Sequence, residues 1–137
     1  MRAVLDVNVL ISAVLSPRGA PARLLAAWGN GAIELVVSPL LLAELRRALG
    51  YPKLARLVPP ADADALVALL GRSAELVADP PGPPPLASAD PKDDYLVALA
   101  AAAHAVIVSG DTHLTDLADR IPVSRPAAFL AELEAAG

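Results

Sequence analysis

Four acidic residues carry the chemistry that this chain suggests: Asp6, Glu44, Asp94 and Asp111. Asp6 closes the apolar run 3–5, and Asp111 closes a second run, 105–110. Glu44 and Asp94 lie in segments of helical character. A sheet that gathers those strand ends also gathers carboxylates into one pocket. Such a pocket repels itself unless it holds cations. Hard divalent ions with oxygen ligands suit it best. Metal-dependent phosphodiester hydrolysis is the chemistry that follows.

Each acid also has a structural role open to it. Asp6 sits where a cap for the next helix belongs, yet its neighbours are apolar and a charge there needs a partner. Asn8 either supports it by hydrogen bonding or is itself the cap. Glu44 is either one exposed glutamate on a helix or an acid held among Leu41, Leu42, Ala43 and Leu45. Asp93 and Asp94 both suit the positive end of a helix. Asp93 falls at the N3 capping position, whereas Asp94 aligns with Ala98, Ala101 and Ala102, small residues that would let the helix approach a sheet. Asp111 is a turn residue or a ligand, with Thr112, His113 and Asp116 close by in the chain. His113 is read as a loop residue and left out of the catalytic set.

The elements that position these residues alternate. Strands are predicted at 2–5, 33–37, 75–77, 105–109 and, weakly, 121–124. Helices are predicted at 9–15, 22–28, 62–73 and 127–135. Ser38-Pro39 offers an N-cap and an N1 proline for a helix running to Leu49. Asp90-Pro91 repeats that signature for a helix running to Ala103. Residues 53–58 form a short segment, 111–117 a loop with one helical turn, and 79–89, with its PPGPPP, an extended linker. The alternation predicts a parallel sheet covered on both faces. Ligands of such sheets sit beyond the carboxyl ends of the strands, a rule that selects Asp6 and Asp111 independently.

Composition narrows the class. At 137 residues the chain fits one domain, 1–137. It is 55% hydrophobic but only 3% aromatic, so its core must be aliphatic. The absence of cysteine excludes disulfides, zinc–thiolate sites and thiol nucleophiles. No run of 18 uncharged apolar residues suggests a membrane span, and the opening MRAVLD has no signal-peptide pattern, so a cytoplasmic protein is expected. A net charge of −4 argues against a nucleic-acid coat protein. A nuclease whose acidic pocket is neutralised locally by metal remains compatible with it.

Four blocks in order, VLDVNVLISA (4–13), SPLLLAELRRAL (38–49), DPKDDYLVALA (90–100) and IVSGDTHL (107–114), resemble PIN domains. More narrowly, they resemble toxin components of type II toxin–antitoxin systems related to VapC-type ribonucleases. The resemblance implies a three-layer α/β/α fold around a five-stranded, mainly parallel sheet of order 3-2-1-4-5. It also implies that Asp6, Glu44, Asp94 and Asp111 form a site for Mg²⁺ or Mn²⁺. Asn8 matches an asparagine frequent in the family, whereas Val7 stands where many VapC-type members carry threonine.

The implied activity is metal-dependent endoribonuclease cleavage of RNA, leaving a 5′-phosphate, with an antitoxin protein as partner and a homodimer as assembly. The Leu- and Ala-rich stretch 22–70 supplies either the dimer interface or core. Arg18, Arg23, Arg46 and Arg47 are candidate phosphate contacts or solvated surface residues. A catalytically inactive PIN-like RNA- or protein-binding module is the alternative reading. A haloacid-dehalogenase-type phosphatase needs an aspartate where Asn8 stands, and a dinucleotide-binding domain needs glycines that DVNVLIS lacks.

Overall fold

The computed structural model describes residues 1–84, 86 and 91–136. Strand β1 (Arg2–Leu5) is followed by α1 (Val7–Leu15) and α2 (Ala20–Gly29), then β2 (Glu34–Val37) and α3 (Pro39–Leu49). A short α4 (Pro52–Ala55) leads to α5 (Pro60–Ser73) and the two-residue β3 (Glu75–Leu76). Beyond the proline-rich segment, a 3₁₀ turn (Pro91–Asp93) runs into α6 (Asp94–Ala103), then β4 (Val106–Val108), α7 (Thr112–Thr115), β5 (Val123–Ser124) and α8 (Pro126–Ala136).

The strands form one sheet of order β3-β2-β1-β4-β5. Every pairing is parallel, a stricter arrangement than the mainly parallel sheet expected. Parallel strands need crossover connections, and the helices between them supply those. Helix α6 packs on β1 and β4, while α1 packs with α2 and α3, α2 with α8, and α3 with α5. β1 is central, and its Ala3, Val4 and Leu5 are at most 1% exposed, which is why it reads as an unbroken apolar run. The core is aliphatic as composition required, with Phe129 its largest fully buried side chain.

Local signals account for the helix starts. Ser38 Oγ accepts from the Leu41 amide at 3.2 Å, and Pro39 occupies the first helical position of α3. That amide would otherwise lack a partner. Helices α1, α2 and α5 each begin two residues earlier than predicted, because Val7, Ala20 and Pro60 suit a first turn that hydrophobic periodicity alone does not mark. Strands β2, β3, β4 and β5 are shorter than predicted, and the predicted starts of two of them, Ile33 and Ile121, lie in bends. Asp90, read as a helix N-cap, lies outside the described residues. Among the described residues no helix is long and apolar enough to cross a membrane.

Candidate metal centre

In a sheet with all strands parallel, the carboxyl ends share one edge. Leu5 is in register with Val108, so Asp6 and Ser109 emerge side by side. The Asp6 amide donates to the Val108 carbonyl at 3.0 Å and extends the ladder by one rung. Asp6 then caps α1: its Oδ1 accepts from the Asn8 amide at 3.4 Å. The capping role considered for Asp6 is present, and the capping carboxylate is buried, 6% exposed, at the sheet edge.

Ser109, fully buried, joins two of the acids. Its Oγ donates to Asp6 Oδ2 at 2.7 Å and accepts from the Asp111 amide at 3.0 Å. Asp111 in turn caps α7, its Oδ1 accepting from the His113 amide at 2.8 Å. The His113 ring nitrogen Nδ1 lies 3.5 Å from the same oxygen. Burial pushes the Asp6 carboxyl above its ordinary range, and the nearby Asp111 charge adds to the rise. The hydrogen bond from Ser109 and the backbone amides oppose it. A carboxylate in that balance favours a cation or a proton.

Asp93, Asp111 and His113 bring three ligand atoms within 4.8 Å of one another. Sequence reading treated Asp93 as a helix cap and assigned the ligand role to Asp94. The Asp93 side chain makes no capping hydrogen bond to α6. Helical geometry gives the reason. The buried stripe of α6 is Leu96, Val97, Leu99, Ala100 and Ala103, and Asp93 lies one turn before Val97 on that side. The alanines expected to bring the Asp94 side close to the sheet do not do so, because Ala101 and Ala102 are exposed. Of the four acids expected to share a site, Asp111 belongs to the Asp93–Asp111–His113 group, whereas Asp6, Glu44 and the half-buried Asp94 lie outside it.

Glu44 is half-buried on α3, with Arg47 Nη2 2.5 Å from its Oε2. Tyr95 relates it to the other acids. The Tyr95 phenol is pushed well above its ordinary value, first by burial and then by the charges of Asp6, Glu44, Asp93 and Asp79. The phenol thus lies in a region of negative potential to which four carboxylates from separate parts of the chain contribute. Two hollows flank this group. One, about 360 Å³, is lined by Asn8, Ser12, Pro21, Gly110 and Asp111 among others. The other, about 400 Å³, is lined by Leu40, Glu44, Arg47, Lys92 and Tyr95.

Sequence reading missed Tyr95 and Asp79. Asp79 lies in the segment assigned to a linker, yet its Oδ2 accepts from the Leu40 amide at 2.9 Å and so holds the first turn of α3. Its Oδ1 is buried with no hydrogen-bond partner among the described residues. A signal existed in its position just after a strand, but the prolines that follow masked it. Of the four arginines considered, Arg23 pairs with Glu134 on α8 and Arg46 with Asp64 on α5, while Arg18 is exposed. Arg125, not singled out beforehand, donates to the Gly110 carbonyl at 3.3 Å beside Asp111.

The PIN domain family matches residues 2–113. The chain belongs to the PIN-domain family. Solved structures of similar fold include VapBC2 from Rickettsia felis, bound to a DNA fragment from its promoter. That structure shares 13% identity at a TM-score of 0.63, covering 91% of this chain and 98% of the other. FitAcB from Neisseria gonorrhoeae is similar at 21% identity and a TM-score of 0.56, with coverage of 91% and 98%. No curated protein matches the sequence at a significant level. These likenesses place the three-layer α/β/α sheet among PIN folds, with its acids at the edge where such sheets bind ligands.

Proposed function

We propose that this PIN-domain protein is a metal-dependent endoribonuclease, a single nuclease domain over residues 1–137, acting in the cytoplasm as the toxin of a toxin–antitoxin pair. The observation that supports the reading is the meeting of Asp93, Asp111 and His113 beyond the carboxyl edge of the sheet, with Asp6 joined to the Asp111 backbone through Ser109.

The donor set fits Mg²⁺ or Mn²⁺. It is almost entirely carboxylate oxygen, and the one imidazole, His113, is tolerated better by Mn²⁺ than by Mg²⁺. Asp6, Asp93 and Asp111 would hold the ion, with Glu44 completing the site from α3. The geometry favours Asp93 over Asp94 for the acid contributed at the head of α6. A divalent cation there would supply Lewis acidity and would lower the pKa of water bound to it. The protein's own contribution is preorganisation. Ser109 locks Asp6 and Asp111 at fixed separation, and the caps of α1 and α7 hold their rotamers. Tyr95 stays protonated among the acids and so remains a hydrogen-bond donor at the cleft. Water is the nucleophile in this scheme, and RNA cleavage leaves a 5′-phosphate.

The two similar structures, VapBC2 and FitAcB, support a protein partner in the role of antitoxin. For the homodimer, Leu40, Tyr51, Leu57 and Leu69 supply exposed apolar surface within the stretch first considered for it. Cleavage of single-stranded RNA by purified protein tests the reading. Activity should require Mg²⁺ or Mn²⁺, vanish with EDTA and vanish in Asp6→Asn. Metal-independent cleavage, or full activity in Asp6→Asn, would reject it.

A further inference from the structure

The hollow on the Glu44 side contains two cations at the margin of an acidic cleft. Arg47 stands three residues after Glu44 on α3, so the two side chains share a helix face. Its Nη2 contacts Glu44 Oε2 at 2.5 Å, and its Nη1 donates to the Tyr51 hydroxyl at 2.7 Å. Its guanidinium carbon lies 5.8 Å from the centre of the Tyr51 ring, within cation–π range. Lys92 lines the same hollow and immediately precedes Asp93. Tyr95 lines the same hollow.

Carboxylates repel a phosphodiester backbone, so RNA entering the cleft needs cations beside them. A guanidinium fork has more donors than the two contacts Arg47 makes here. The Arg47 side chain is 60% exposed and that of Glu44 35%, and ion pairs so open to water are weak. Exchange of one anionic partner for another is then cheap. A phosphate offers the guanidinium a planar, two-point contact like the one a carboxylate offers.

We propose that Arg47 is a transferable cation. Without RNA it neutralises Glu44. When RNA enters, it turns to a backbone phosphate next to the scissile one, Lys92 binds the same stretch of backbone, and Glu44 is left free for the metal. This rests on the ribonuclease reading and adds the RNA-backbone subsite and its coupling to Glu44.

The coupling makes two opposite predictions for Arg47→Gln. Mn²⁺ alone, measured by titration calorimetry, should bind about two- to fivefold tighter, because Glu44 loses a surface counter-charge. A short single-stranded RNA of mixed sequence should bind about tenfold more weakly, the loss of one charge-assisted hydrogen bond worth about 1.4 kcal/mol. RNA affinity is read by fluorescence anisotropy in the Asp6→Asn background. The slope of log affinity against log salt should fall by about 0.7, the value for one single-strand phosphate contact. In the active protein, KM should rise more than kcat falls. Lys92→Gln should weaken RNA binding in the same way, and Arg47→Lys should restore part of it. Unchanged RNA affinity and salt slope in both Arg47→Gln and Lys92→Gln would overturn the subsite. Weaker Mn²⁺ binding in Arg47→Gln would overturn the transfer, since Arg47 would then be positioning Glu44 for metal. A wild type without Asp6-dependent cleavage overturns the ribonuclease reading and this inference with it. An active wild type with a silent Arg47→Gln overturns this inference alone.

Discussion

Asp6→Asn separates the electrostatics of the acid cluster from its chemistry. In the EDTA-treated protein, burial and the Asp111 charge raise the Asp6 carboxyl above its ordinary range. Folded protein therefore holds the Asp6 proton more tightly than unfolded protein does. The resulting stabilisation is complete below the unfolded carboxylate pKa and is lost as pH rises through the raised folded value. The side-chain amide that replaces the Asp6 carboxylate in the variant carries no such charge and keeps a carbonyl oxygen for the Ser109 hydroxyl. With EDTA, the variant should therefore be the more stable protein at neutral pH and above, and the advantage should fade on acidification. Mn²⁺ should reverse the order. A cation that binds only the folded state at a hundredfold excess over its Kd adds about 2.7 kcal/mol. With about 2.1 cal/mol/K of unfolding entropy per residue over 137 residues, that gain corresponds to a Tm rise of ~9 °C. The variant should show little of it. The assay is a thermal melt of both proteins across a Mn²⁺ titration, at several pH values and fixed protein concentration, because dimerisation also shifts the midpoint. Equal Tm gains in both proteins would show that Mn²⁺ binds elsewhere and would refute the reasoning.

Three further outcomes follow from the same geometry. Asp93→Asn should reduce RNA cleavage by about a hundredfold or more, the scale of losing support around a metal, whereas Asp94→Asn should retain most activity; the reverse order in a cleavage time course would restore Asp94 as the ligand. Ser109→Ala removes the hydroxyl between the Asp6 carboxylate and the Asp111 amide, and should cost about 1–3 kcal/mol in urea unfolding with EDTA present. A loss indistinguishable from zero would mean that water replaces the hydroxyl without penalty. Ser38→Ala removes the buried cap of α3 and should cost about 1 kcal/mol, read as a lower urea midpoint at unchanged slope.

The sequence by itself determined the order of elements and the edge of the sheet where Asp6 and Asp111 lie. Apolar runs such as 3–5 and 106–108, bounded by polar or turn residues, read as buried strands, and Ser38-Pro39 states a helix start in two residues. These are local properties of chain chemistry, so they survive reading without a partner. The placement of Asp6 and Asp111 at strand ends was legible for the same reason. The strand order was available only through family resemblance, because pairing of β1 with β4 joins segments about a hundred residues apart that carry no local mark of one another.

Tertiary structure decided which acids meet. Asp93 and Asp94 are equally acidic and adjacent, and only the rotation of α6 against β1 and β4 turns Asp93 towards Asp111. A helix advances by about 100° per residue, so a one-residue choice is a choice of face. Ser109 reads as an unremarked residue before a turn until folding sets its hydroxyl between the Asp6 carboxylate and the Asp111 amide. Asp79 and Tyr95 acquire their roles likewise, from a segment that the prolines made look like linker and from a phenol that burial sets among four charges. Type and spacing within one segment report which groups are available. Distances between segments arise only when the core closes, because the packing of apolar faces, and not the acids themselves, determines where those groups come to rest.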